Sequence, residues 1–395
     1  MSKLSEIKKN LFNKRGLRIL YFLGFILALS TAVPTYIESN YIKEFVSAEK
    51  IGLFFLVSNA ITFFLILVYP GIIARFKNYR VSQVVLGCNF IALLAMYFAN
   101  SPFTLFTAFI LLMSSLNLIW INMDIFIENF TAVASAGRTR TTYFTFMNLG
   151  WVAAPIISSY FIKDSNYRPV YLLAAALLIP FYIIFIRQGR DLKDKIKYEK
   201  DHIKEIVRKI FKTKNIRGIF SLAILLHLFY SLAVVYVPLH LHENIGLSWG
   251  QLGIAFSFML LPFIIFELPA GIIADKYLGE KEIMTLGFTI LIISLILFFS
   301  VKSTSIVVWG LILFFSRIGA ALVEAMRDSY FFKIITAKEV GLINFFRTAQ
   351  PLGYLIGTGL GTIILIFYPI QFVFLILALL MTTSFYFLWI IKDTK

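Results

Sequence analysis

Two acidic pairs at helical spacing, Asp124 with Glu128 and Glu324 with Asp328, stand 200 positions apart in oily sequence, and Asn117 and Arg317 share that offset. At 100° per residue, Arg317, Glu324 and Asp328 fall within about 40° of one another on a helix, and Asn117, Asp124 and Glu128 repeat the stripe. An Arg held in hydrocarbon costs at least about 2.5 kcal/mol, so Arg317 must face protein or a water-filled space. There its guanidinium can bind an anionic or hydroxyl-rich solute, serve in coupling, or close a structural ion pair.

Other polar side chains are spaced to meet it. Thr31, Thr35 and Glu38 share one helical face, as do His227, Tyr230 and Ser231. By rise per residue, Thr31, Asn117, Tyr230 and Arg317 all come out near mid-membrane. That convergence defines the candidate substrate-binding set: Arg317, Asn117, Thr31, Thr35, Trp120, His227 and Tyr230. His227 could carry a proton near neutral pH; the alternative is a hydrogen-bonded packing residue. Glu267, eight residues before Asp275, and Glu324 are the carboxyls placed to couple a proton to transport. For Glu267 the other reading is a brace for its own helix.

These groups need membrane helices to hold them. The chain of 395 residues is 59% hydrophobic with 42 Phe and a mean hydropathy of +0.83. Soluble domains are nearer half apolar. The excess falls in blocks long enough to cross about 30 Å of hydrocarbon, predicting twelve spans: 17–37, 49–74, 81–100, 103–126, 141–162, 169–186, 218–240, 249–274, 282–301, 304–326, 340–367 and 370–391. Residues 1–186 form one six-span half and 218–395 the other. Between them, the linker 187–217 carries 12 basic residues. Ile203, Ile206, Val207 and Ile210 recur at helical spacing there, predicting an amphipathic helix over 201–213. It either lies on anionic lipid or serves as a charged linker without lipid contact.

The net charge of +16 could suggest nucleic acid, but its placement argues for orientation in a membrane. With the N-terminus inside, 30 of the 37 Lys and Arg fall on cytoplasmic segments or at the inner edge of span 1 (Arg18), and five on outer loops or at the outer edge of span 2 (Lys50). This positive-inside asymmetry puts both termini in the cytoplasm, in the cytoplasmic membrane. No cleavable signal is expected in the basic lead MSKLSEIKKNLFNKRGLR. The single cysteine, Cys88, excludes an intrachain disulfide and a cysteine-held metal. No Walker loop, zinc-binding His pair or nucleophile elbow is present, so neither ATP-driven transport nor an enzyme is expected, and no cofactor.

The halves repeat one another. Gly71-Ile72-Ile73-Ala74 recurs as Gly271-Ile272-Ile273-Ala274, and Val33-Pro34 ends span 1 as Val237-Pro238 ends span 7. The run Gly271 to Lys281, with Asp275-Lys276 and Gly279, resembles the signature loop of the major facilitator superfamily, with Glu280 as an inserted acid. The first copy departs from it: Arg75 stands where the loop Asp belongs and Asn78 where the second Gly belongs. The resemblance extends to length, span count, long middle loop and duplication.

That resemblance implies an all-α fold of two six-helix bundles, with spans 1, 4, 7 and 10 lining a central cavity. It implies a monomeric secondary transporter moving a small organic solute by alternating access, with protons and membrane lipid as the other partners. It also implies an inner gate in which Asp275 pairs with Arg347, near Asp328 and Arg327. On the other half, Asp124 or Glu128 would serve Arg75, with Arg138 or Arg140 nearby. Gly150, Ala154 and Pro155 partly match an exporter motif of span 5, leaning toward drug or metabolite export by proton antiport. The altered first loop leaves a non-transporting sensor or scaffold as the alternative.

Overall fold

Apolar runs of this length can satisfy their backbone groups in lipid only as helices, and helices are what the chain forms. The structure, a computed structural model, describes residues 3–130, 136–163, 165–188, 203–334 and 340–392. The helices are α1 (Lys3–Thr35), α2 (Glu38–Lys43), α3 (Ala48–Phe76), α4 (Asn78–Phe98), α5 (Pro102–Phe130), α6 (Ala136–Phe161), α7 (Arg168–Arg187), α8 (Ile203–Lys212), α9 (Lys214–Leu239), α10 (Trp249–Lys276), α11 (Glu280–Ser300), α12 (Ile306–Ile334), α13 (Val340–Arg347), α14 (Ala349–Phe367), α15 (Gln371–Met381) and α16 (Thr383–Ile390). A π-helical turn, His240–Asn244, continues α9 past Pro238.

Eleven spans among the described residues are long and apolar enough to cross a membrane. The expected fifth span, α6, is not one of them. At 26 residues it is long enough, but its first half, AGRTRTTYFTFMN, is polar. The last predicted span is two helices, α15 and α16, meeting at Thr382. The predicted linker helix over 201–213 is α8. Ile210 is buried on it and Phe211 is exposed.

The chain divides into two compact units, Met1–Thr35 with Phe64–Lys200, and Tyr36–Phe63 with Asp201–Lys395. Segment 36–63 thus groups with the second unit, and the division falls inside α3.

In the first unit α1 packs on α6 and α7, and α4 on α5. Polar atoms tie these helices where an unsatisfied group would be expensive. Ser30 Oγ donates to the Ala174 carbonyl (2.9 Å), Asn89 Nδ2 to Ser115 Oγ (3.0 Å) and Tyr69 OH to Asn122 Oδ1 (2.9 Å).

The second unit packs α12 against α10 and α11, and α9 against α14. Small residues allow the close approaches. A Cβ on Gly353 would lie 2.6 Å from His227 Cβ and 2.9 Å from the Ile224 carbonyl oxygen. Large apolar side chains such as Phe64, Val84, Phe98, Leu379 and Trp389 point outward. In water they would be a liability; against lipid tails they are the expected surface.

Candidate functional site

The second unit gathers most of the predicted groups. α12 carries Arg317, Glu324, Arg327 and Asp328, and α9 carries His227, Phe229 and Tyr230. α14 supplies Tyr354, α10 supplies Glu267, and the segment just before α2 supplies Tyr36.

Arg317 is 3% exposed. Its guanidinium lies over the rings of Phe229 (5.5 Å) and Tyr230 (5.6 Å). Aromatic faces stabilise a cation there by about 0.5–2 kcal/mol without occupying its N–H groups. Its Nε and Nη1 have no hydrogen-bond partner. The nearest acid on its helical face, Glu324, is engaged elsewhere: Tyr230 OH donates to Glu324 Oε2 at 2.6 Å. Among the described residues the structural ion pair considered for Arg317 is therefore not formed, and Nε and Nη1 stay available.

Three residues past Glu324 on α12, Arg327 is buried and turns to other partners. Its Nε and Nη2 reach Asp328 Oδ1 at 2.9 and 2.8 Å. Its Nη1 lies 3.2 Å from His227 Nε2. Arginine only donates, so that His227 nitrogen accepts, and the ring holds its proton on Nδ1. His227 is thus tied by an arginine, which supports the packing reading over an open proton shuttle. Glu267 on α10 is half-buried and within electrostatic reach of Glu324 and Asp328. Two of these acids, Glu324 and Asp328, stand near the Arg327 guanidinium, and Glu267 is in reach of both acids. Among the described residues, no group of His, Cys, Asp and Glu is disposed to hold a metal ion.

Tyr36 and Tyr354 complete the surroundings of Arg317, both within electrostatic reach of it. The Tyr36 ring packs 5.1 Å from that of Phe256. Sequence reasoning singled out neither tyrosine. The available signal was Gly353 directly before Tyr354, which lets that helix press close against α9.

A profile of the Major Facilitator Superfamily matches residues 19–251 and 219–395. The chain belongs to the major facilitator superfamily. No curated protein sequence matches it. Solved structures with the same fold include the nucleoside transporter NupG (17% identity, TM-score 0.72, covering 96% of this chain and 98% of that one). The POT family transporter PepTSo aligns at 13% identity and TM-score 0.78 over 94% and 97% of the two chains. A bacterial homolog of the human lysosomal transporter Spinster aligns at 12% and 0.71 over 96% and 95%. At these identities the likeness is one of fold.

The superfamily's signature loop can now be compared between its two copies. In the second, Gly279 sits at φ +138° between α10 and α11. Glu280 follows, buried, accepting from Ser329 Oγ (2.9 Å) and pairing with Lys333 (2.5 Å), both on α12. In the first, Lys77 takes the positive φ of 70°. Asn78 follows, buried, and donates to the Asn122 carbonyl on α5 (3.1 Å). The inserted acid and the substituted Asn78 are thus equivalent anchors: each ties its loop to the corresponding neighbouring helix.

The remaining candidates belong to the first unit, to α13, or lie outside the described residues. In the first unit, Thr31 is buried with its hydroxyl unpaired, while Thr35 Oγ1 donates to the Thr31 carbonyl (2.7 Å). Asn117 Nδ2 bonds back to the Met113 carbonyl (2.9 Å). Trp120 and Asp124 are half-buried. Arg75 is exposed, stacked over Phe76 at 5.2 Å, and makes no ion pair with Asp124. Arg347 is half-buried at the end of α13. The side chains of Asp275, Glu128, Arg138 and Arg140 lie outside the described residues, so the Asp275–Arg347 gate is not described.

Proposed function

We propose that this protein is a secondary transporter that carries a small organic solute by alternating access, with Arg317 as the cation that recognises it. The observation behind this reading is the buried guanidinium walled by Phe229 and Tyr230, with Nε and Nη1 unpaired. A buried charge without a partner is costly, and an anionic or hydroxyl-bearing solute would satisfy it. Arginine presents its donors in a planar fork suited to a carboxylate or phosphate.

Proton coupling belongs to the same reading. Glu267, Glu324 and Asp328 place more negative charge than Arg327 balances, and a proton taken up by one of them would offset it. Movement of α12 against α9 would break the Tyr230–Glu324 bond and change that carboxyl's surroundings. The orientation that fits the charge distribution has both termini in the cytoplasm and the protein in the cytoplasmic membrane.

The test is flux and binding in sealed proteoliposomes. Arg317→Gln should abolish uptake of the solute while the protein remains folded. Unchanged uptake in that variant would refute the assignment. A folded wild type that binds its solute yet moves none across the vesicle would favour the sensor instead.

A further inference from the structure

Glu38 is 2% exposed, at the start of α2. Among the described residues its carboxylate has neither a hydrogen bond nor an ion pair. It belongs to the same compact unit as Arg317. Tyr354 stands within electrostatic reach of both Glu38 and Arg317, and Tyr36 within reach of Arg317. A buried guanidinium and a buried carboxyl, neither with an ion-pair partner among the described residues, therefore both stand near Tyr354.

Two opposite charges this deeply buried would be expected to pair with each other if packing alone decided. Here tyrosines stand near both, and apolar rings pack beside them: Phe229 lies against Arg317 and Phe256 against Tyr36. A ligand that satisfies both ends must carry both charges on a short, partly apolar body. We infer that the solute is a small zwitterion, its carboxylate on Arg317 and its ammonium on Glu38. This rests on the reading of Arg317 given above and adds a second pole to it. It also assigns Glu38 a role in specificity: only a ligand that brings its own cation favours the charged form of this buried carboxyl, so a ligand without one gains nothing from it.

The experiment uses the full-length protein in detergent, read by thermal shift and by competition. The probes are a graded panel: α-amino acids, 4-aminobutanoate, 6-aminohexanoate and apolar dipeptides, each beside its deaminated acid and its amide. At least one zwitterion should stabilise the protein, with its deaminated acid and its amide each weaker by about tenfold or more. Arg317→Gln and Glu38→Gln should both lose the zwitterion. Glu38→Gln should also invert the preference, so that the deaminated acid binds at least as well as the parent. Glu38→Asp, which keeps the charge, should retain the wild-type order and serves as the control for folding.

Monoanions binding as tightly as zwitterions, or Glu38→Gln leaving the preference unchanged, would overturn the zwitterion assignment while leaving Arg317 as the recognition cation. No stabilisation by any zwitterion of the panel would also overturn it. Loss of the Arg317 dependence itself would instead remove the reading beneath.

Discussion

Arg317 shows how partner choice at single residues sets the chemistry. It and Glu324 lie on one face of α12, yet Tyr230 from α9 takes the carboxylate at 2.6 Å and the guanidinium keeps its donors. Tyr230 thus engages the carboxyl that shares Arg317's helical face. Tyr230→Phe removes a hydrogen bond to a charged, buried acceptor and should cost about 1.5–3 kcal/mol of stability. It should also weaken solute binding, because Glu324 becomes free to approach Arg317. Denaturant titration and a binding isotherm on the same variant would check both. Arg327→Ala should destabilise by about 1–3 kcal/mol, below the full penalty for breaking a buried pair, because the Asp328 side chain is 43% exposed. A loss indistinguishable from zero would mean that the His227 contact and the pair to Asp328 contribute nothing.

Helices and loops carry the repeat, and here each half has its own chemistry for one task. The tight turn between α3 and α4 places Lys77 at φ 70° and ψ 145°, where a side chain is strained. The equivalent turn uses Gly279. Lys77→Gly should therefore raise stability by about 1 kcal/mol, since the strain released exceeds the added flexibility of the unfolded chain. A thermal denaturation series would show it, and a fall in stability would contradict the assignment of strain. On α14, Gly353 lets α9 approach, and Gly357 lies against Ser231 in the same groove. Gly353→Ala should cost about 1–3 kcal/mol by forcing the two helices apart. It should also shift Tyr354 and so reduce solute binding, which the same isotherm would report.

At the scale of the whole protein, transport by alternating access requires that a solute gradient or a proton gradient move the solute across a sealed membrane. Proteoliposomes with an imposed pH gradient should accumulate or expel the solute. Collapsing the gradient with a protonophore should bring the rate to that of passive equilibration, and Glu267→Gln should do the same without abolishing exchange. Equal rates with and without the gradient would separate facilitated movement from coupled movement. With Cys88 as the single native cysteine, a Cys88→Ser background allows probes to be placed beside Asp275. Asp275→Asn should change their accessibility from the two sides if that loop holds a gate.

Much of this was legible in the sequence because the signals are local. The length of each apolar run sets the spans, and the placement of Lys and Arg sets an expected orientation. The recurrence of Gly-Ile-Ile-Ala and of the acidic pairs reveals the duplication. Spacing alone also put Arg317, Glu324 and Asp328 on one helical face, and Tyr230 and His227 on another. What spacing could not decide is which of these groups meet. Glu324 bonds to Tyr230 across α9 and α12, His227 is held by Arg327 at 3.2 Å, and Tyr36 and Tyr354 arrive from segments far apart in the chain. Buried charges choose partners by distance and desolvation among side chains from several helices, and those distances exist only once the helices have packed. The oily runs and charged flanks therefore determined a multi-pass helical protein, while tertiary packing alone left Arg317 open.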